Sequence, residues 1–129
     1  GKSRQLVNDL RSKVAILSVG PIGYEATEAI DQLKKRDIYI DHYDMIWVKP
    51  LDEEALRHIV GRYEKIVTLE DGIVAGGFGS AVEEWIAANG YELPVVSLGI
   101  KDHWVMQGTV AELRHDCGYD AASIVELLS

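Results

Sequence analysis

Apolar residues along the chain alternate between short runs and stretches of helical spacing. Arg4-Gln5-Leu6-Val7 reads as a weak first strand. Val14-Ala15-Ile16-Leu17-Ser18-Val19 is a strong second, continuous rather than alternating, as suits a strand covered on both faces. A third spans Ile38 to Trp47, with alternation at Ile38, Ile40 and His42. Lys65 to Glu70 is the fourth and Pro94 to Leu98 the fifth.

The intervals carry helical periodicity. Ile22, Ala26, Ala29, Ile30 and Leu33 mark one helix, and Ala55, Leu56, Ile59, Val60 and Tyr63 a second. Asp52 is placed to N-cap the second helix, with Glu53 and Glu54 in its first turn and a Leu51–Leu56 staple across its start. Ala81, Val82, Trp85 and Ile86 define a third helix ending at Gly90. Thr109 and Glu112 form a capping box for a short fourth helix stopped near Gly118. Asp120 caps a last one through Ile124, Val125, Leu127 and Leu128.

Strand, three strand–helix–strand crossovers and terminal helices predict a three-layer α/β/α sandwich. The Asn8–Lys13 link is too short for a helical crossover, so the first two strands should be antiparallel if adjacent. The expected sheet is five-stranded and mixed, with one antiparallel strand, in a single domain spanning 1–129.

At 47% hydrophobic and 26% charged residues, the chain has the composition of a folded globular domain rather than a disordered one. Its 21 acidic and 13 basic residues give a formal charge of −8, without the basic stripe of a nucleic-acid binder. No apolar run reaches the roughly 18 residues of a membrane span, so no membrane partner is expected. Cys117 is the single cysteine, which excludes an internal disulfide and a cysteine metal cluster; a cytoplasmic location fits. Gly1-Lys2-Ser3-Arg4 opens without an initiator Met or a signal peptide, as a piece of a longer chain would.

The chief candidate site is Gly76-Gly77-Phe78-Gly79-Ser80, a strand-to-helix turn whose N–H groups suit an anion, with Gly76, Gly77, Gly79 and Ser80 as the binding residues. The spacing is neither the dinucleotide fingerprint nor a P-loop, and no Lys follows. The competing reading is structural: glycines for a sharp turn and close packing, with Ser80 and Glu83 as a capping box. Glu70 and Asp71 end the fourth strand at the edge where open α/β sheets bind ligands. Successive strand residues face opposite ways, so they make a poor pair, and Glu70 is expected to accept from the glycine-turn amides instead.

Asp102, His103 and Trp104 follow the fifth strand, but sequence neighbours rarely supply proton-transfer geometry and no nucleophile motif accompanies them. His42, His58 and His115 lack metal-ligand spacing. Trp47 and Trp85 read as core or interface, and Trp104 as the exposed tryptophan of an inter-domain contact. Lys49-Pro50-Leu51-Asp52 joins strand to helix, and nothing there desolvates the lysine. Cys117, beside Gly118, reads as a packed residue.

Taken in order, Val14–Gly20, Val48-Lys49-Pro50-Leu51-Asp52, Val67–Gly72, Gly76–Val82, Leu98-Gly99-Ile100-Lys101-Asp102 and Gln107-Gly108-Thr109 resemble the C-terminal domain of transketolase-like, thiamine-diphosphate-dependent enzymes. Within that family they are most similar to the 1-deoxy-D-xylulose-5-phosphate synthase branch. The resemblance implies the mixed five-stranded sheet already expected. It also implies a homodimeric enzyme whose N-terminal and middle domains are this domain's partners. Thiamine diphosphate and Mg²⁺ would be held by the N-terminal domain's Gly-Asp-Gly…Asn motif, and the activating Glu would come from the middle domain. Neither matches here, so the resemblance assigns no catalytic, cofactor-binding or metal residue to this chain, and no cofactor bound by it alone. The alternatives are the same domain of a transketolase or 2-oxoacid dehydrogenase beta subunit, and a stand-alone anion-binding module.

Overall fold

A computed structural model describes residues 3–45, 51–74, 76–101 and 108–129. Five strands and five helices follow in the order β1 (Arg4–Val7), β2 (Val14–Val19), α1 (Gly23–Lys34), β3 (Ile40–Asp44), α2 (Glu53–Arg62), β4 (Lys65–Ile73), α3 (Phe78–Ala88), β5 (Val95–Ile100), α4 (Val110–Asp116) and α5 (Ala121–Leu128). The sheet order is β1-β3-β2-β4-β5; β2, β3, β4 and β5 run parallel and β1 antiparallel.

That order decides where the helices lie. The chain leaves β2 in one direction to reach β3, then doubles back past β2 to β4 and onward to β5. Right-handed crossovers therefore put α1 on one face and α2 and α3 on the other. The terminal helices α4 and α5 complete the α1 face. The core divides accordingly. Ile16, Val67 and Leu69 pack with Ile22, Ala26, Leu33, Leu113, Tyr119 and Ile124. Ala15, Leu17 and Ile66 pack with Leu56, Ile59, Phe78, Val82, Trp85 and Ile86. Ile16 and Leu17 are fully buried on opposite faces, each contributing about 1.5–3 kcal/mol of transfer free energy.

β1 does not adjoin β2. It pairs antiparallel with β3, with Arg4 opposite Asp44, so the short link after it passes the start of β3 to reach β2. A buried carboxylate pins this link. Asp41 accepts from Asp9 N at 2.8 Å and from the Tyr63 hydroxyl, while Arg62 donates to the carbonyls of Ser12 and Asp9 at 2.8 and 3.0 Å. Burial, then the bond to Asp41, raise the Tyr63 phenol's pKa.

Three boundaries differ from the sequence reading. β3 begins at Ile40, because Asp37 adopts a left-handed φ of 59° and Ile38 N still bonds the carbonyl of Leu33 at the end of α1. Residues 46 and 47 lie outside the described residues. β4 continues to Ile73 through an irregularity after Leu69, and β5 continues to Ile100. The expected caps form at Asp52 and Asp120, which accept from Ala55 N at 3.1 Å and Ser123 N at 2.9 Å. Thr109 accepts from Glu112 N at 3.1 Å.

Replacing Asp120 with Ala removes the α5 cap and should cost about 1 kcal/mol in denaturant unfolding, with an unchanged m-value.

Candidate functional site

β4 delivers its two terminal carboxylates to opposite faces. Glu70 faces α3 and is only 8% exposed. Its Oε1 accepts from Phe78 N at 3.0 Å and its Oε2 from Gly79 N at 2.8 Å. Two further amides of the turn are also engaged: Gly76 N donates to Ser80 Oγ at 3.2 Å, and Gly77 N to the Val74 carbonyl at 3.0 Å. Of the turn expected to offer Gly76, Gly77, Gly79 and Ser80 to an anion, the Phe78 and Gly79 amides hold the chain's own carboxylate, with which an external anion would have to compete.

The glycines are required by this fit. A methyl group on Gly77 would overlap Glu70 Oε1, and one on Gly79 would stand 2.5 Å from Ser97 Oγ and 2.7 Å from Thr68 Oγ1. Gly76 takes a φ of +75°. The Ser80–Glu83 capping box does not form. Gly77 is the N-cap, Ser80 lies a turn inside α3 and donates to the Val74 carbonyl at 2.8 Å, and Glu83 accepts from Ser97. Glu70 performs the cap instead, taking donors a capping side chain would otherwise satisfy.

Asp71 faces α4. It accepts from Arg114 at 2.9 Å and from the Tyr119 hydroxyl at 2.8 Å, and Arg114 also donates to the Tyr24 hydroxyl. Burial works against the Asp71 carboxylate, but the bonds from Arg114 and Tyr119 outweigh it and hold its pKa below the ordinary value. Arg114 was not a sequence candidate. Its partner lies 43 positions away, and only the fold joins them.

The histidines separate. His58 is exposed, and His115 is a surface partner of Asp120 at 3.0 Å. His42 is fully buried, with Nε2 2.7 Å from Ser18 Oγ and Nδ1 without a partner among the described residues. This is no nucleophilic pair, since neither side chain reaches solvent and no third group among the described residues orients the ring. Burial lowers the His42 pKa to about 4, against the raising effect of Asp44. Trp85 is buried in the α2–α3 core and donates to Glu53 at 2.9 Å, and Cys117 is buried as expected. Trp47, Lys49, Pro50, Asp102, His103, Trp104 and Gln107 lie outside the described residues. Among the described residues no three His, Cys, Asp or Glu side chains converge as a metal site. Nor does any helix have the length and apolarity to cross a membrane.

Residues 1–124 match the family profile described as the transketolase C-terminal domain. The 1-deoxy-D-xylulose-5-phosphate synthase of Parabacteroides distasonis is 45% identical over 128 residues, which cover 99% of this chain and 20% of that protein. The synthase of Cytophaga hutchinsonii is 45% identical over 124 residues, covering 96% and 19%. A solved structure described as a split gene transketolase, inactive beta4 tetramer, superposes with a TM-score of 0.86 at 30% identity, covering 98% of this chain and 41% of that one. A transketolase from Campylobacter jejuni shares the fold, with a TM-score of 0.67 at 13% identity, covering 97% and 18%. The chain therefore spans about a fifth of the length of the curated relatives it matches.

Glu70→Ala leaves two buried N–H donors unpaired and should destabilise the domain by roughly 2–5 kcal/mol. An unchanged denaturation midpoint would show that the turn holds without its carboxylate. His42 generates a pH dependence. An unfolded histidine titrates near ~6.5, so between there and about 4 the unfolded chain carries a proton that the folded chain lacks. Stability therefore falls as pH drops through that window. Relative to a His42→Gln variant, the unfolding free energy should decrease by about 2–3 kcal/mol between roughly pH 7 and pH 4.5. A difference that stays constant with pH would contradict it.

Proposed function

The chain belongs to the transketolase C-terminal domain family, and we propose that it is the C-terminal domain of a 1-deoxy-D-xylulose-5-phosphate synthase, the thiamine-diphosphate-dependent enzyme that joins pyruvate to glyceraldehyde 3-phosphate with loss of CO₂. The observation that carries this reading is the 45% identity to proteins of that name across nearly the whole chain. In the complete enzyme, bound thiamine diphosphate supplies the electron sink for decarboxylation and carbon–carbon bond formation. This domain's own residues do other work: they brace the N-terminal and middle domains of the same polypeptide and support a cytoplasmic homodimer.

The interior of the domain supports a bracing role. A diphosphate–Mg²⁺ pair needs free anion donors and converging oxygen ligands. Four amides of the glycine turn go to Glu70, Ser80 Oγ and the Val74 carbonyl, and the carboxylates of Asp71 and Asp41 are engaged by Arg114, Tyr119, Asp9 and Tyr63. These engaged groups do not suit the cofactor, and no catalytic step is assigned to them.

Calorimetric titration of the isolated chain with thiamine diphosphate and Mg²⁺ should give no measurable heat of binding. The natural full-length enzyme should bind the cofactor and consume pyruvate only when glyceraldehyde 3-phosphate is present. Micromolar binding by the isolated chain would overturn the division of labour. A full-length protein that prefers a ketose donor would move the assignment to transketolase.

A further inference from the structure

The parallel strands end at one edge of the sheet, and the exposed apolar side chains there are not scattered. Ile73, at the end of β4, is 54% exposed; Tyr24, in the first turn of α1, is 53% exposed; Val110, opening α4, is 49% exposed. They flank one ion-pair cluster. Arg114, four residues after Val110, bonds the Tyr24 hydroxyl and Asp71, and Asp71 lies two residues before Ile73. The Arg114 guanidinium faces two carboxylates, Asp71 at 2.9 Å and Glu25 at 3.9 Å, so acid outnumbers base in the cluster. The patch is thus an apolar rim around a cation that already has its counter-charges, so covering it leaves no unpaired cation. Elsewhere Leu10 is 91% exposed but lies in the link at the opposite, amino end of the sheet, the kind of isolated exposure that needs no partner.

The direction of β1 adds a second observation. Because β1 is antiparallel, with Arg4 opposite Asp44 at the end of β3, its start lies at this same edge. Ser3, just ahead of it, is fixed there by donating its N–H and hydroxyl to Asp52 at 2.8 and 3.1 Å. In a polypeptide about five times longer than this domain, as its relatives are, an upstream segment therefore meets the carboxyl edge at its β1 end, beside the start of α2.

We infer that the carboxyl edge around Tyr24, Ile73 and Val110 is the surface on which the upstream domain of the same polypeptide rests; this builds on the reading of the chain as the last domain of a longer synthase. Inter-domain contacts of this kind bury about 600–1,500 Å² and mix apolar with polar area, as this rim around Asp71–Arg114 does.

The test uses the full-length enzyme carrying Ile73→Lys, with Val110→Lys as a second variant and Leu10→Lys as control. Limited proteolysis should release this domain about tenfold faster from either edge variant than from the parent, the change that a loss of one decade in docking equilibrium gives. Amide exchange across 71–74 and 108–114 should rise with it, and Leu10→Lys should behave as the parent. Val110→Lys decides the matter if Ile73→Lys misfolds. Release at the parental rate from the folded variants overturns the inference while leaving the synthase reading intact. Dissociation of the dimer without faster domain release also overturns it, and assigns the edge to a second copy. A natural chain no longer than this domain overturns both readings together.

Discussion

The carboxylate of Glu70 stands between β4 and the first turn of α3, and the geometry of that half of the domain follows from keeping it satisfied. Taken from water without partners, a carboxylate would neutralise or unfold its surroundings. Here two backbone N–H groups receive it, one at each oxygen. The approach needed for those bonds leaves no room for a side chain at Gly77 or Gly79, and it sets α3 close over Thr68 and Ser97. The irregular stretch of β4 after Leu69 belongs to the same arrangement, since the chain must turn back through Gly76 to offer its amides. A strand-to-helix glycine turn is commonly a place to hold a ligand's phosphate; in this protein the strand provides the anion itself.

The other buried or half-buried acids repeat that solution with different donors. Asp41 closes the β1–β2 link with the Asp9 amide and the Tyr63 hydroxyl. Asp71 ties α4 and the segment before α5 to the sheet through Arg114 and Tyr119. Removing any one partner would leave a desolvated group costing about 1–3 kcal/mol or more, a large fraction of a domain's marginal stability. His42 is the exception. Its Nδ1 has no partner among the described residues, and neutrality makes the burial tolerable, so acid acts on this histidine.

Much of this was legible in the sequence because it depends on local rules. The continuous apolar run of Val14–Val19, the caps at Asp52, Thr109 and Asp120, and Gly90 after α3 are set by residues within a few positions of one another. Alternation along β4 was enough to separate Glu70 from Asp71 and to send Glu70 to the glycine turn. What could not be read depends on distant partners. The position of β1 beside β3 follows from global packing, not from the length of the link. Ser80 and Glu83 have the spacing of a capping box, but Glu70 reaches the amides first. The Arg114–Asp71 and Asp41–Tyr63 contacts join segments more than 20 positions apart and have no local signature.

A domain can carry the architecture of a ligand-binding α/β fold while giving donors to itself, and the choice has a physical consequence for that edge of the sheet. A free anion site must stay partly open and solvated, and the elements around it tend to be the less stable ones. Filling the turn with Glu70, and pinning the neighbouring helices with Asp71 and Arg114, converts that edge into a fixed surface. A fixed surface with an apolar rim is suited to holding another body in place. The same edge that in related architectures closes over a small molecule is here suited to closing against protein.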